Sequence, residues 1–157
     1  MDYDVELADL QAQQALVVRG QVAPDGIAAF VADAFGEVMH AASAQQLQVG
    51  GPPFCRYDMR GGDGWEVEAG FPVRGHPDRR GRAEPAMLPG GWAAHTVHTG
   101  DYTALGDAYR AVEEWLARNG YEPDGLPWES YLDPPDASPP RTQVWFPCRP
   151  VRPGARP

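Results

Sequence analysis

The sequence repeats itself once, and that constrains the fold more than any other property of the chain. Gly51-Pro52-Pro53-Phe54-Cys55-Arg56-Tyr57 returns as Gly125-Leu126-Pro127-Trp128-Glu129-Ser130-Tyr131. A second echo follows each copy, Val67-Glu68-Ala69-Gly70-Phe71-Pro72-Val73 against Gln143-Val144-Trp145-Phe146-Pro147-Cys148. Upstream, Val17-Val18-Arg19-Gly20 and Val97-His98-Thr99-Gly100 each close a short apolar strand before a helix-compatible segment. Signals recurring in one order mark an internal duplication. Two copies are too few for a solenoid, so the expectation is two half-domains packed face to face.

Periodicity fills in each copy. Val5 to Leu10 and Ala15 to Val22 read as strands. Pro24-Asp25-Gly26 offers a helix start, after which Ile27, Phe30, Val31, Ala34, Phe35, Val38, Met39 and Ala42 form an apolar stripe expected to face the core. A strand near Phe54 to Met59, a glycine-rich connection over Arg60 to Gly64 and a returning strand from Trp65 to Val73 complete the first copy. Arg74 to Glu84, charged and rich in Gly and Pro, reads as a loop or mobile flap joining the halves.

The second copy begins with a strand from Trp92 to Thr99. Tyr102-Thr103 opens a helix with Leu105, Ala108, Tyr109, Val112, Trp115 and Leu116 on its apolar face, and Asn119-Gly120 ends it. A strand from Trp128 to Leu132, a proline-rich turn from Asp133 to Pro140 and a strand from Thr142 to Cys148 follow. The expected fold is α+β: two pseudo-symmetric strand-helix-strand-strand repeats, about 14–74 and 91–148, form a mostly antiparallel sheet with two helices on one face and a central ligand cleft. One domain would span 1–150, with a disordered tail over 149–157.

Composition narrows the partners. The net charge is -9 and every basic residue is arginine, which opposes direct binding to a phosphate backbone. No apolar run approaches the roughly 20 residues needed to cross a bilayer, and no basic-then-apolar leader opens the chain, so no membrane association and a cytoplasmic location are expected. Cys55 and Cys148 read as reduced core-strand thiols. His95 and His98 fall on opposite strand faces, so no metal site is expected, and no motif calls for a cofactor.

Alternation on the later strand sends Glu129 and Tyr131 one way and Trp128 and Ser130 the other, with Cys55 and Tyr57 taking the corresponding direction in the first copy. If a pseudo-two-fold axis relates the halves, Glu129, Tyr131, Cys55 and Tyr57 converge on one aromatic groove holding one carboxylate. Such a groove suits a flat organic cation, whose attraction to aromatic faces is worth about 2 kcal/mol when desolvated. The same carboxylate, tuned by burial, suits general acid or base catalysis. The alternative is that Glu129 lies on the solvent face, paired with an arginine.

These residues resemble the GyrI-like small-molecule-binding family, related to the effector-binding domains of multidrug-responsive regulators. The resemblance runs from about Ala15 to Cys148 and rests on Val18-Arg19-Gly20, Pro53-Phe54-Cys55-Arg56-Tyr57, Gly70-Phe71-Pro72-Val73, Gly100-x-Tyr102-x-x-Leu105 with Trp115 downstream, and Trp128-Glu129-Ser130-Tyr131. It implies paired strand-helix-strand-strand units around a cleft whose glutamate maps onto Glu129. It also implies a binding protein for lipophilic cationic aromatic molecules, monomeric or weakly dimeric. Glu129, Tyr131, Tyr57, Trp128, Trp65, Tyr102, Trp145 and Cys55 would form its site. Other members resemble hydrolases that open the cyclopropane of DNA-alkylating natural products, for which Glu129 and Tyr131 would be catalytic. The sequence preceding the first repeat is short for a helix-turn-helix module, so a standalone role is expected, and an interaction module acting on another protein is the third reading.

Overall fold

The computed structural model describes residues 3–58, 64–134 and 136–151. The chain forms two compact units, Ala12–Pro89 and Met1–Gln11 with Gly90–Pro157.

The unit Ala12–Pro89 contains β2 (Gln13–Val22), α1 (Ile27–Ala44), β3 (Gln48–Val49), β4 (Phe54–Asp58), β5 (Trp65–Arg74) and β6 (Glu84–Leu88), following β1 (Glu6–Leu10) of the other unit. Its sheet runs β4-β5-β2-β6, all antiparallel, with β3 on the end of β5. Ala15 to Val18 are fully buried, as an inner strand flanked on both sides requires. A 3₁₀ turn over Pro24–Gly26 delivers α1, whose Ala34, Val38, Ala41 and Ala42 are buried, while Met39, expected on the core face, is exposed. Phe30 lies over Gly20 and Phe35 meets Phe71 edge-on at 5.5 Å, which places α1 on the face carrying Val18, Gly20 and Phe71.

The other unit contains β1, β7 (Gly91–Thr99), α2 (Leu105–Asn119), β8 (Tyr121–Pro123), β9 (Trp128–Tyr131) and β10 (Arg141–Pro150). Its sheet runs β1-β7-β10-β9, again antiparallel, with β8 on the end of β10. Leu105, Ala108, Val112 and Leu116 of α2 share a core with Ala94, Val144, Phe146 and Cys148. Gly120, at φ +78°, ends α2 in the left-handed conformation that glycine adopts without a Cβ penalty, and its N–H returns to Leu116.

The two units therefore have the same strand order, and the duplication is complete down to the short strands β3 and β8. Register identifies the equivalents. Cys55, Ala69 and Val18 are cross-strand partners in one unit, and Glu129, Val144 and Thr96 in the other. The upstream echo is thus displaced: Val18 corresponds to Thr96 rather than His98. Each outer strand comes from the segment preceding the opposite copy, since β1 pairs with β7 and β6 pairs with β2.

Several expectations are corrected. Arg149 and Pro150 belong to β10, paired with Glu122 and Tyr121 of β8, so no tail begins at Arg149, and 152–157 lie outside the described residues. The Arg60–Asp63 part of the expected glycine-rich connection also lies outside them. The segment expected as a loop or mobile flap is a loop between β5 and β6, held by several hydrogen bonds. Arg80 and Ala83 exchange backbone hydrogen bonds, Gln45 bonds both the N–H and the carbonyl of Asp78, and Arg82 makes two bonds to Glu37 of α1. Pro24–Ala44 is long and apolar enough to cross a membrane by length and composition, at mean hydropathy 1.2, where the sequence reading found no such run. One face of α1 is nonetheless packed on β2 and β5.

Candidate functional site

Glu129 occupies the middle of β9, opposite Val144. Val144 belongs to the core under α2, so alternation turns Glu129 toward that helix. It is 7% exposed. Tyr109 of α2 donates its O–H to Glu129 Oε2 at 2.6 Å, and Tyr131 donates to Oε1 at 2.8 Å. Each ring is itself held: Tyr109 meets Phe146 edge-on at 5.5 Å, and Tyr131 meets Tyr102 edge-on at 6.0 Å.

Burial pushes the Glu129 carboxyl above the ordinary glutamate range, and the two tyrosine hydrogen bonds oppose that rise without reversing it. Among the described residues no cation offsets the carboxylate. The solvent-facing, arginine-paired arrangement is therefore not the one adopted. Nearby Tyr102, 40% exposed, has its phenol pushed up by burial first and then by the charges of Glu129 and Asp133. The result is a weakly acidic carboxyl roofed by phenols, able to accept hydrogen bonds when ionised or to donate a proton when not.

Of the residues expected at the site, Tyr102 and Tyr131 join Glu129. Trp128 and Trp145 lie on the opposite face of the same sheet, stacked at 6.0 Å with His95 4.5 Å from Trp145, as cross-strand partners. Burial pushes the His95 imidazole below its usual range. Trp128 is 4% exposed and has the environment of a core ring. Tyr57 and Trp65 belong to the other unit, edge-on to each other at 5.9 Å on the face that α1 covers, and Cys55 is a fully buried, reduced cysteine on that face. Cys148 is a buried, reduced cysteine too.

Sequence reasoning misses Tyr109 as a site residue. The sequence shows it as one more ring in the apolar stripe of α2, and only its hydroxyl hints at a polar partner. With its ring against Phe146, its hydroxyl reaches Glu129 on β9. Among the described residues no group of three His, Cys, Asp or Glu side chains is arranged to hold a metal.

Comparison with known proteins sets this geometry in context. The chain is similar to the C-terminal domain of EcmrR, at 23% identity and TM-score 0.82, covering 96% of this chain and all of that one. In the EcmrR–DNA complex it spans 58% of the EcmrR chain, at 22% identity, 95% coverage of this chain and TM-score 0.82. A hydrolase encoded by lin2189 from Listeria innocua shares the fold at 14% identity and TM-score 0.67, over 92% of this chain and 91% of that one. SAV2435, solved bound to tetraphenylphosphonium, shares it at 15% identity and TM-score 0.62, over 95% and 94%. No curated protein matches the chain. The model of the GyrI-like small molecule binding domain matches residues 3–149, and the chain belongs to that family.

Proposed function

We propose that the chain binds lipophilic, cationic aromatic small molecules at Glu129 and serves to sequester drugs or toxins. The observation that carries this reading is a buried carboxylate that meets two phenols and, among the described residues, no cation. A buried anion without a counter-charge is costly, and a bound cation relieves that cost. Tyr102, Tyr109 and Tyr131 supply ring faces and edges around it, suited to a delocalised positive charge. The tetraphenylphosphonium bound by SAV2435 is a ligand of this class, and the family is one of small-molecule binders.

Equilibrium binding of tetraphenylphosphonium to the protein and to Glu129→Gln tests the proposal. Loss of at least about tenfold in affinity is expected, since a charge-assisted contact is removed. Equal affinity in the two proteins would count decisively against it.

A second reading has one observation in its favour. A carboxyl whose acidity is weakened by burial is suited to protonate a substrate, so hydrolysis of a cyclopropane-bearing alkylator is the alternative use of the same group. Incubation with such a compound, followed by mass spectrometry, would show a water adduct that disappears in Glu129→Gln. Absence of the adduct removes this reading for that substrate.

A further inference from the structure

Thr142 lies on β10, between β7 and β9, and is fully buried. Among the described residues its Oγ1 is the buried side-chain oxygen that finds no hydrogen-bond partner. A hydroxyl in that position forfeits the bonds it made to water, and valine would fill the same space without the loss. Packing therefore does not explain the threonine.

Register fixes where this hydroxyl stands. Thr142 is the cross-strand partner of Tyr131. Leu132 N–H donates to the Arg141 carbonyl, which makes the adjacent 131–142 pair the non-hydrogen-bonded kind, with its side chains closer together. Both side chains are on the α2 side of the sheet. Tyr131 thus borders two groups, the Glu129 carboxylate along its own strand and the Thr142 hydroxyl across from it. On its other flank Thr142 pairs with His98, whose Nδ1 is engaged with the Tyr3 hydroxyl and whose Nε2 is engaged with the Asp101 carbonyl. With both ring nitrogens occupied, His98 cannot serve Thr142.

We propose that Thr142 Oγ1 accepts an N–H from the ligand, so that the site selects aromatic amines protonated at nitrogen over quaternary cations; this rests on the reading of Glu129 as the cation's counter-charge. An ammonium N–H supplies charge to the carboxylate and a donor to the hydroxyl. A quaternary or tetraaryl cation satisfies only the first.

Two probes that differ by one group decide the matter: pyrenylmethyl-dimethylammonium, which has an N–H, and pyrenylmethyl-trimethylammonium, which has none. Affinities are read by pyrene fluorescence for the wild-type protein, Thr142→Val, Thr142→Ser and Glu129→Gln, each checked for folding by circular dichroism. Thr142→Val is expected to weaken the dimethylammonium probe about tenfold and leave the trimethylammonium probe within about twofold, while Thr142→Ser retains the wild-type preference. Unchanged binding of both probes to Thr142→Val overturns the proposal, as does equal weakening of both. Should Thr142→Val fail to fold, a loss of preference in Thr142→Ser overturns it equally. Glu129→Gln separates the two levels: weakening of both probes upholds the cation site whatever Thr142 does, and no effect on either removes the cation site itself.

Discussion

The Tyr109 hydroxyl on α2 bonds Glu129 Oε2 on β9 at 2.6 Å while its ring rests edge-on against Phe146. Ring and hydroxyl therefore have separate roles, one in the core and one at the carboxylate. Phenylalanine separates them experimentally, because it keeps the ring and deletes the donor.

In Tyr109→Phe, one of the two bonds that favour ionised Glu129 is gone while the desolvation stays. The carboxyl should titrate higher than in the wild type, and native stability at neutral pH should fall by about 0.5–1.5 kcal/mol. Tyr131→Phe should act in the same direction, and the double variant should move further than either. Carbon-13 NMR of the Glu129 carboxyl measures the titration directly. A midpoint that stays still or falls in both single variants would show that the phenols do not hold the charge.

The raised Glu129 pKa fixes the sign of a pH effect on stability. Between the unfolded glutamate value, about 4.3, and the higher folded value, the native state binds more protons than the unfolded one. The stability contribution is therefore fully present below about pH 4 and is lost as pH rises through the folded value. Glu129→Gln cannot ionise, so its melting temperature relative to the wild type should climb across that window and then level off. Thermal melts at several pH values test this, and a difference independent of pH contradicts it. Binding of a permanent cation should follow the opposite course, strengthening as Glu129 ionises.

How far the sequence reaches into this arrangement depends on the range of the interaction. That Glu129 and Tyr131 share a face opposite Trp128 and Ser130 was legible, because alternation along Trp128-Glu129-Ser130-Tyr131 is a property of four adjacent residues, whereas which way that face turns needed the distant pairing with Val144 and the contact with Tyr109. The correspondence of Cys55 with Glu129 and of Ala69 with Val144 was legible for the same reason, and the registers agree with it. The pairing of β1 with β7 and of β6 with β2 was not, since nothing in Glu84–Leu88 distinguishes a distant partner from a near one. Apolar periodicity also could not reveal that Tyr109 uses its hydroxyl, or that the unpromising polar segment after Arg74 is anchored by Gln45 and Glu37.

Gly70 offers a test of the register in the unit Ala12–Pro89. A Cβ there would stand 1.9 Å from the Leu16 carbonyl oxygen and 2.8 Å from Val17 Cα, both backbone atoms of the neighbouring strand. Backbone cannot rotate aside as a side chain does, so β2 and β5 would have to separate. Gly70→Ala should cost about 3 kcal/mol, read as a lowered urea midpoint. A variant as stable as the wild type would mean that β2 and β5 do not approach so closely. At Gly81 an added Cβ would meet no atom within 4 Å, but φ is +57°. That position isolates backbone strain from steric conflict and should lose much less on substitution by alanine.

Gln45 carries the last prediction. Its side-chain amide donates to the Asp78 carbonyl at 2.9 Å and accepts from the Asp78 N–H at 2.7 Å, reproducing with one residue the paired bonds of an antiparallel ladder. The C-terminal end of α1 thereby fixes a chain segment that has no regular structure of its own. Gln45→Ala removes both bonds, which are exposed, so local opening should become easier without a comparable loss of global stability. Amide exchange at Asp78 should quicken about tenfold, while exchange in the buried strand from Ala15 to Val18 stays as it was. Unchanged exchange at Asp78 would mean that the Arg80–Ala83 bridge and the Arg82–Glu37 pair suffice to hold the segment. Faster exchange at both places would instead make Gln45 a contributor to the stability of the whole unit.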